Sequence, residues 1–141
     1  MRKTRSPDPV VEALVGYSAD AQGKGVAYAR LTGRRARQLL RVSFRVGAPR
    51  PFPDRAVAYA ALTAIARVLS RRGAREVRFL VADGEFVEEV ASGRGISHSL
   101  AMSYVRLRCA LNALAKYAMQ PARTDDLTQR ARAEVALNVA A

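Results

Sequence analysis

The clearest pattern in this chain is an alternation over residues 37–46. Leu40, Val42, Phe44 and Val46 fall on one face, and Arg37, Leu39, Arg41, Ser43 and Arg45 on the other. Period two sends the first set to a core and the arginines outward, as in a half-buried strand. Two further strands are predicted before it. Residues 10–17 are apolar and β-branched, and residues 26–31 follow a Gly-rich turn. The short connections make the three an antiparallel meander.

The period then changes. After the Pro-rich loop 47–53, Val57, Ala61, Leu62, Ile65, Val68 and Leu69 mark one side of a helix over residues 55–72. Asp54 stands where an N-cap would, and Gly73 ends the helix. Residues 76–82 read as a fourth strand. The intervening helix makes a crossover, so that strand should run parallel to a neighbour. A short helix follows at 85–91. Ser97 or Ser99 caps another, which runs to about Leu111 and includes Met102, Val105, Leu107 and Cys109, with Cys109 expected in the core. Residues 113–120 fit either an extension of that helix or a fifth strand, and periodicity does not decide between them. Thr124 caps a last helix, 125–138. The order β-β-β-α-β-α-α-β-α predicts a mixed α/β domain over residues 9–141, preceded by a flexible basic arm, residues 1–8.

Composition narrows the function. At 141 residues the chain is sized for one domain. One cysteine excludes a disulfide framework or a Cys-rich zinc site. No apolar run is long enough to span a membrane, and the basic start lacks the apolar stretch of a secretory signal, so a soluble cytoplasmic protein is expected. The 24 Lys plus Arg against 12 Asp plus Glu give a net charge of +12, which points to polyanions as partners. Most of the cations are arginine, which suits phosphate and bases, although a GC-rich genome also favours Arg codons. The few Asn, Gln and Cys hint at a thermophile.

The basic residues cluster. Between Ala21 and Pro53 there is no acid, while Lys24, Arg30, Arg34, Arg35, Arg37, Arg41, Arg45 and Arg50 are all present. With Arg94, Arg106, Arg108 and Lys116, the residues Arg34, Arg35, Arg37, Arg41 and Arg45 are the candidate phosphate contacts. The alternative reading of the strand's arginines is solubility and protection of a sheet edge.

Four stretches in order resemble the ribonuclease H-like fold, and within it the type I ribonuclease H domains. These are Gly16-Tyr17-Ser18-Ala19-Asp20 with Gly23 and Gly25; Asp54-Arg55-Ala56-Val57; Asp83-Gly84 with Phe86, Val87 and Gly93; and residues 124–131, from Thr124 through Asp125 and Leu127 to Ala131. The resemblance covers about Val10 to Ala136. It implies a five-stranded mixed sheet with helices on both faces. It also implies a hydrolytic centre of four carboxylates around two Mg²⁺ or Mn²⁺ ions. Asp83 and Asp125 match two of the four. The first-strand Asp falls on Ala19 and the helix Glu on Val57, neither of which ligates. Asp20, one residue on, is the substitute if the strand bulges; otherwise the shift turns it to the opposite face. The lone His98 reads as a loop or cap residue.

The expected function is therefore nucleic-acid binding on a ribonuclease H-like scaffold without catalysis and without a cofactor. RNA, a hybrid or a duplex is the expected ligand, since 6% aromatic residues and no Trp disfavour base stacking on single strands. Two alternatives are a Mg²⁺- or Mn²⁺-dependent hybrid endonuclease using Asp20, Asp83 and Asp125, and a basic structural subunit of a ribonucleoprotein particle.

Overall fold

The computed structural model describes residues 10–34 and 37–140, with side chains to residue 138. The predicted arm, residues 1–8, and Arg35 lie outside the described residues. Three strands, β1 (Val10–Ala19), β2 (Lys24–Thr32) and β3 (Arg37–Arg45), form the antiparallel meander. Next come α1 (Asp54–Arg71), β4 (Glu76–Val81), α2 (Gly84–Ser92), a 3₁₀ turn (His98–Leu100), α3 (Ala101–Asn112), β5 (Lys116–Pro121) and α4 (Asp125–Ala140). The sheet order is β3-β2-β1-β4-β5. β1, β4 and β5 run parallel, as a crossover through α1 requires.

Helices cover both faces. On one, Ala13 and Val15 of β1, Val77, Phe79 and Val81 of β4, and Leu62, Ile65 and Leu69 of α1 form the larger core, closed by Phe86, Leu107 and Leu111. On the other, Val26 and Tyr28 of β2 meet Leu127 and Ala131 of α4. Gly16 sets how closely α4 approaches. A Cβ there would lie 2.5 Å from the Thr128 backbone nitrogen and 2.6 Å from the Leu127 carbonyl carbon. No helix of the described residues is long and apolar enough to cross a membrane.

The alternation in β3 is as expected: Leu40 is buried, while Arg37, Arg41, Ser43 and Arg45 are exposed. The choice left open at residues 113–120 falls to the fifth strand of the expected order, residues 116–121, which extend a parallel ladder on β4. Three local expectations change. Asp54 is the first residue of α1 instead of its cap. Pro53 holds the extended N-cap position, and Asp54 acts through the helix dipole. Neither serine caps the third helix. Ser97 precedes the 3₁₀ turn without a side-chain cap bond, and its hydroxyl meets that of Ser99 at 3.3 Å. Cys109 is exposed. α3 buries only Leu107, Ala110 and Leu111, so Met102, Val105 and Cys109 share its outer side.

Candidate functional site

The parallel ladder of β1 and β4 ends with Val15 paired to Val81, while β1 runs on to Ala19. Asp83 follows just after β4, near enough to Tyr17 for its charge to act on the phenol. Asp83 caps α2 by accepting a 3.0 Å hydrogen bond from the Phe86 backbone N–H. Arg55, in the first turn of α1, reaches across to the same place. Its Nε lies 3.2 Å from Asp83 Oδ2, its Nη2 2.9 Å from Glu85 Oε1 and its Nη1 3.0 Å from Glu89 Oε1. A cation in the first turn of a helix opposes the helix dipole, so these three carboxylates do more than balance charge. Glu89 is only 7% exposed, and an unpaired carboxylate there would be costly. Burial works against the Arg55 charge, but the hydrogen bond to Glu89 and the negative charge of Asp83 outweigh it and hold the guanidinium above its ordinary value.

Two phenols frame the cluster. Burial, and then the charge of Asp83, pushes the Tyr17 phenol up to about 12, so it stays protonated at neutral pH. Tyr59 is fully buried, and its hydroxyl has no hydrogen-bond partner among the described residues. Burial, then the charge of Glu89 and the nearness of its carboxylate to the hydroxyl, push its phenol upward, although the two do not meet in hydrogen-bond geometry. Its ring meets Phe86 edge-on at 5.0 Å.

This donor set does not fit two divalent ions. Asp83, Glu85 and Glu89 surround a guanidinium, and among the described residues no three His, Cys, Asp or Glu side chains could hold a metal. On β1 it is Tyr17 that feels the Asp83 charge; Ala19 lies two residues beyond, paired with Gly25. Val57 is buried in the first turn of α1 and offers no ligand. Asp20 does not swing in. Its Oδ1 accepts from the backbone N–H groups of Gln22 (2.9 Å) and Lys24 (3.0 Å) and so fixes the β1–β2 turn. Asp125 begins α4 and is exposed. His98 opens the 3₁₀ turn.

The arginines separate into two groups. On the α4 face they meet acids. Arg30 pairs with Asp126 at 2.6 Å, and Arg41 pairs with Glu134, which also accepts from the Tyr28 hydroxyl. These two donors hold the Glu134 carboxyl down at about 2. Arg41, predicted to meet phosphate, is thus committed within the chain. Arg108 is partly committed too, stacked 5.9 Å from the Tyr104 ring centre. Arg94 is exposed in the loop after α2. Arg34 and Lys116 border a cavity at the end of the sheet away from Asp83, where β3 also begins with Arg37. Arg45 and Arg106 come together around an open groove between β3, α1 and α3. That groove also holds Arg67 and Arg71, which the strand-centred reading missed. Their signal was an i, i+4 arginine pair on α1 beside the small residues Ala60 and Ala64. Arg55 was missed too, and its signal was a cation at the wrong end of a helix.

A mixed five-stranded sheet in this order, with helices on both faces, defines a ribonuclease H-like fold. Solved structures agree. The N-terminal ribonuclease H domain of a Mycobacterium tuberculosis protein, fused to maltose-binding protein, superposes with a TM-score of 0.69 at 16% identity, over 92% of this chain and 98% of that one. Ribonuclease H1 of the halophilic archaeon Halobacterium salinarum gives 0.69 at 17% identity over the same shares. A ribonuclease H1 in complex with an RNA/DNA hybrid gives 0.66 at 12% identity, over 87% of this chain and 91% of that one. No protein-family model matches the sequence, and no curated protein matches it. The likeness is one of fold.

Proposed function

We propose that this protein binds nucleic acid on a ribonuclease H-like scaffold without hydrolysing it. One observation carries the reading: Arg55 sits among Asp83, Glu85 and Glu89, where hydrolysis by two metal ions would need carboxylates free to ligate. A guanidinium there neutralises the carboxylates that would otherwise repel a phosphate backbone. The net charge of +12 and the arginines without acidic neighbours supply the attraction. A structural neighbour's complex with an RNA/DNA hybrid supports a double-stranded ligand, as does the scarcity of aromatic residues.

Purified protein, a labelled RNA/DNA hybrid and either Mg²⁺ or Mn²⁺ provide the test. Binding whose affinity falls steeply with salt, with no cleavage product, is the expected result. Cleavage that disappears in Asp83→Asn would overturn it in favour of a nuclease.

A further inference from the structure

The groove between β3, α1 and α3 is separate from the strand-end cluster. Arg67 is 12 residues beyond Arg55 on the same helix, which is roughly 18 Å along its axis. The groove has a volume of about 340 Å³, the size of a small-ligand site, and its floor is kept low by Ala60 and Ala64. Arg67 and Arg71 stand on one wall and Arg106 on the other, with Ser103 one turn earlier on α3. Arg45 and Ser43 lie on the rim at the β3 edge. No Asp or Glu lines the groove, and among the described residues Arg67, Arg71 and Arg106 make no ion pair.

Stability does not account for this arrangement. Like charges at i and i+4 on a helix repel. The helix dipole favours Arg71, in the last turn of α1, but not Arg67 or Arg106. Four other arginines do have acids beside them: Arg55 at the strand ends, Arg30 with Asp126, Arg41 with Glu134 and Arg78 with Glu12. Here Arg67, Arg71 and Arg106 line one space together with Arg45 and Ser103, residue types that supply the donors an oxyanion with several acceptor oxygens requires.

We infer that the β3–α1–α3 groove is a phosphate-group site, in which Arg67, Arg71 and Arg106 hold a backbone phosphate of a nucleic-acid strand. The source of that phosphate rests on the function proposed above; the site itself does not. Arginine forks bind phosphate through paired N–H donors, and Ser103 adds a neutral donor. The groove would anchor a strand some distance from the strand ends and so fix its direction across the protein.

The test uses the full chain and two groove variants, Arg67→Gln/Arg71→Gln and Arg106→Gln. Arg78→Gln, at the far end of the sheet, is the control. Binding of a labelled hybrid duplex is measured across salt concentrations, and thermal melts are taken with and without inorganic pyrophosphate. The double variant should bind the duplex about 10-fold more weakly near 0.1 M salt, with a log–log salt slope smaller by about 1. Arg106→Gln should move both in the same direction and Arg78→Gln neither. Pyrophosphate should raise the melting temperature of the parent but not of the double variant. Duplex binding with unchanged affinity and slope in both groove variants would overturn the groove and leave the proposed function standing. A pyrophosphate shift without duplex binding would keep the groove, make its ligand a free phosphoanion and remove the proposed function. Absence of both would overturn both.

Discussion

The two ends of α1 have opposite electrostatic surroundings. At its start Arg55 meets Asp83, Glu85 and Glu89 and its charge is fully answered. Over its last two turns Arg67 and Arg71 face Arg106 and no carboxylate. The difference shows that a basic sequence does not make every basic residue available. Topology decides, because it brings α2 over the first turn of α1 and α3 along the rest. The same sorting separates the faces of the sheet. α4 carries Asp126 and Glu134 to Arg30 and Arg41, while the β3 edge by the groove receives no such acid.

Removing the guanidinium breaks this comparison most directly. Arg55→Gln leaves Glu89 buried at 7% exposure and Asp83 beside it without a counter-charge. Loss of one member of a partly buried charge cluster should cost about 3 kcal/mol, read as a lower urea midpoint or a melting temperature lower by roughly 6–10 °C. Arg67→Gln should change stability little, since it has no acid to abandon. Equal losses from the two substitutions would mean that the ends of the helix are not different in kind.

How much of this was legible in the sequence follows from the range of the interactions. β3 could be read because its two faces meet different surroundings, so Leu40 and Arg41 report them directly. β5 had a place in the predicted order, but its residues also fitted a longer helix. The strand lies at the sheet edge and only Tyr117 and Met119 turn towards the core, an alternation too short to decide the period. Cys109 was misplaced for a related reason: α3 buries a narrow stripe at the margin of the core, too narrow for period alone to locate. Asp83 was visible as a carboxylate closing a strand. The answering Arg55 was not, since its partners lie 28 to 34 residues away on another element. Arg41 looked available for the same reason, with Glu134 93 residues further along.

A second, smaller effect tests the claim that α4 neutralises its face. The Glu134 carboxyl is held at about 2 against an ordinary 4.5, first by the hydrogen bond from Arg41 and then by that from Tyr28. A carboxylate with a lowered folded value adds stability above the unfolded value, and that contribution is lost as pH falls through the folded one. The parent should therefore exceed Glu134→Gln by about 1 kcal/mol at pH 6. The gap should close progressively from about pH 5 towards pH 2, measured by urea denaturation at each pH. A gap independent of pH would show that Glu134 acts by packing, and that Arg41 is less committed than its geometry indicates.

The smallest expected change is a gain, and it sharpens the boundary between the two regions. Tyr59 sits on α1 between Arg55 and Arg67, borders the groove, and buries a hydroxyl with no partner among the described residues. A buried unpaired hydroxyl costs free energy, and replacing it with hydrogen removes that cost while keeping the ring. Tyr59→Phe should therefore raise stability by about 0.5–1 kcal/mol, a shift of roughly 2–4 °C in melting temperature. The ring contact with Phe86 is unaffected by the change. A loss instead of a gain would mean that the hydroxyl donates to Glu89. The strand-end cluster would then include Tyr59 and reach the edge of the groove, and the two regions would be electrostatically joined.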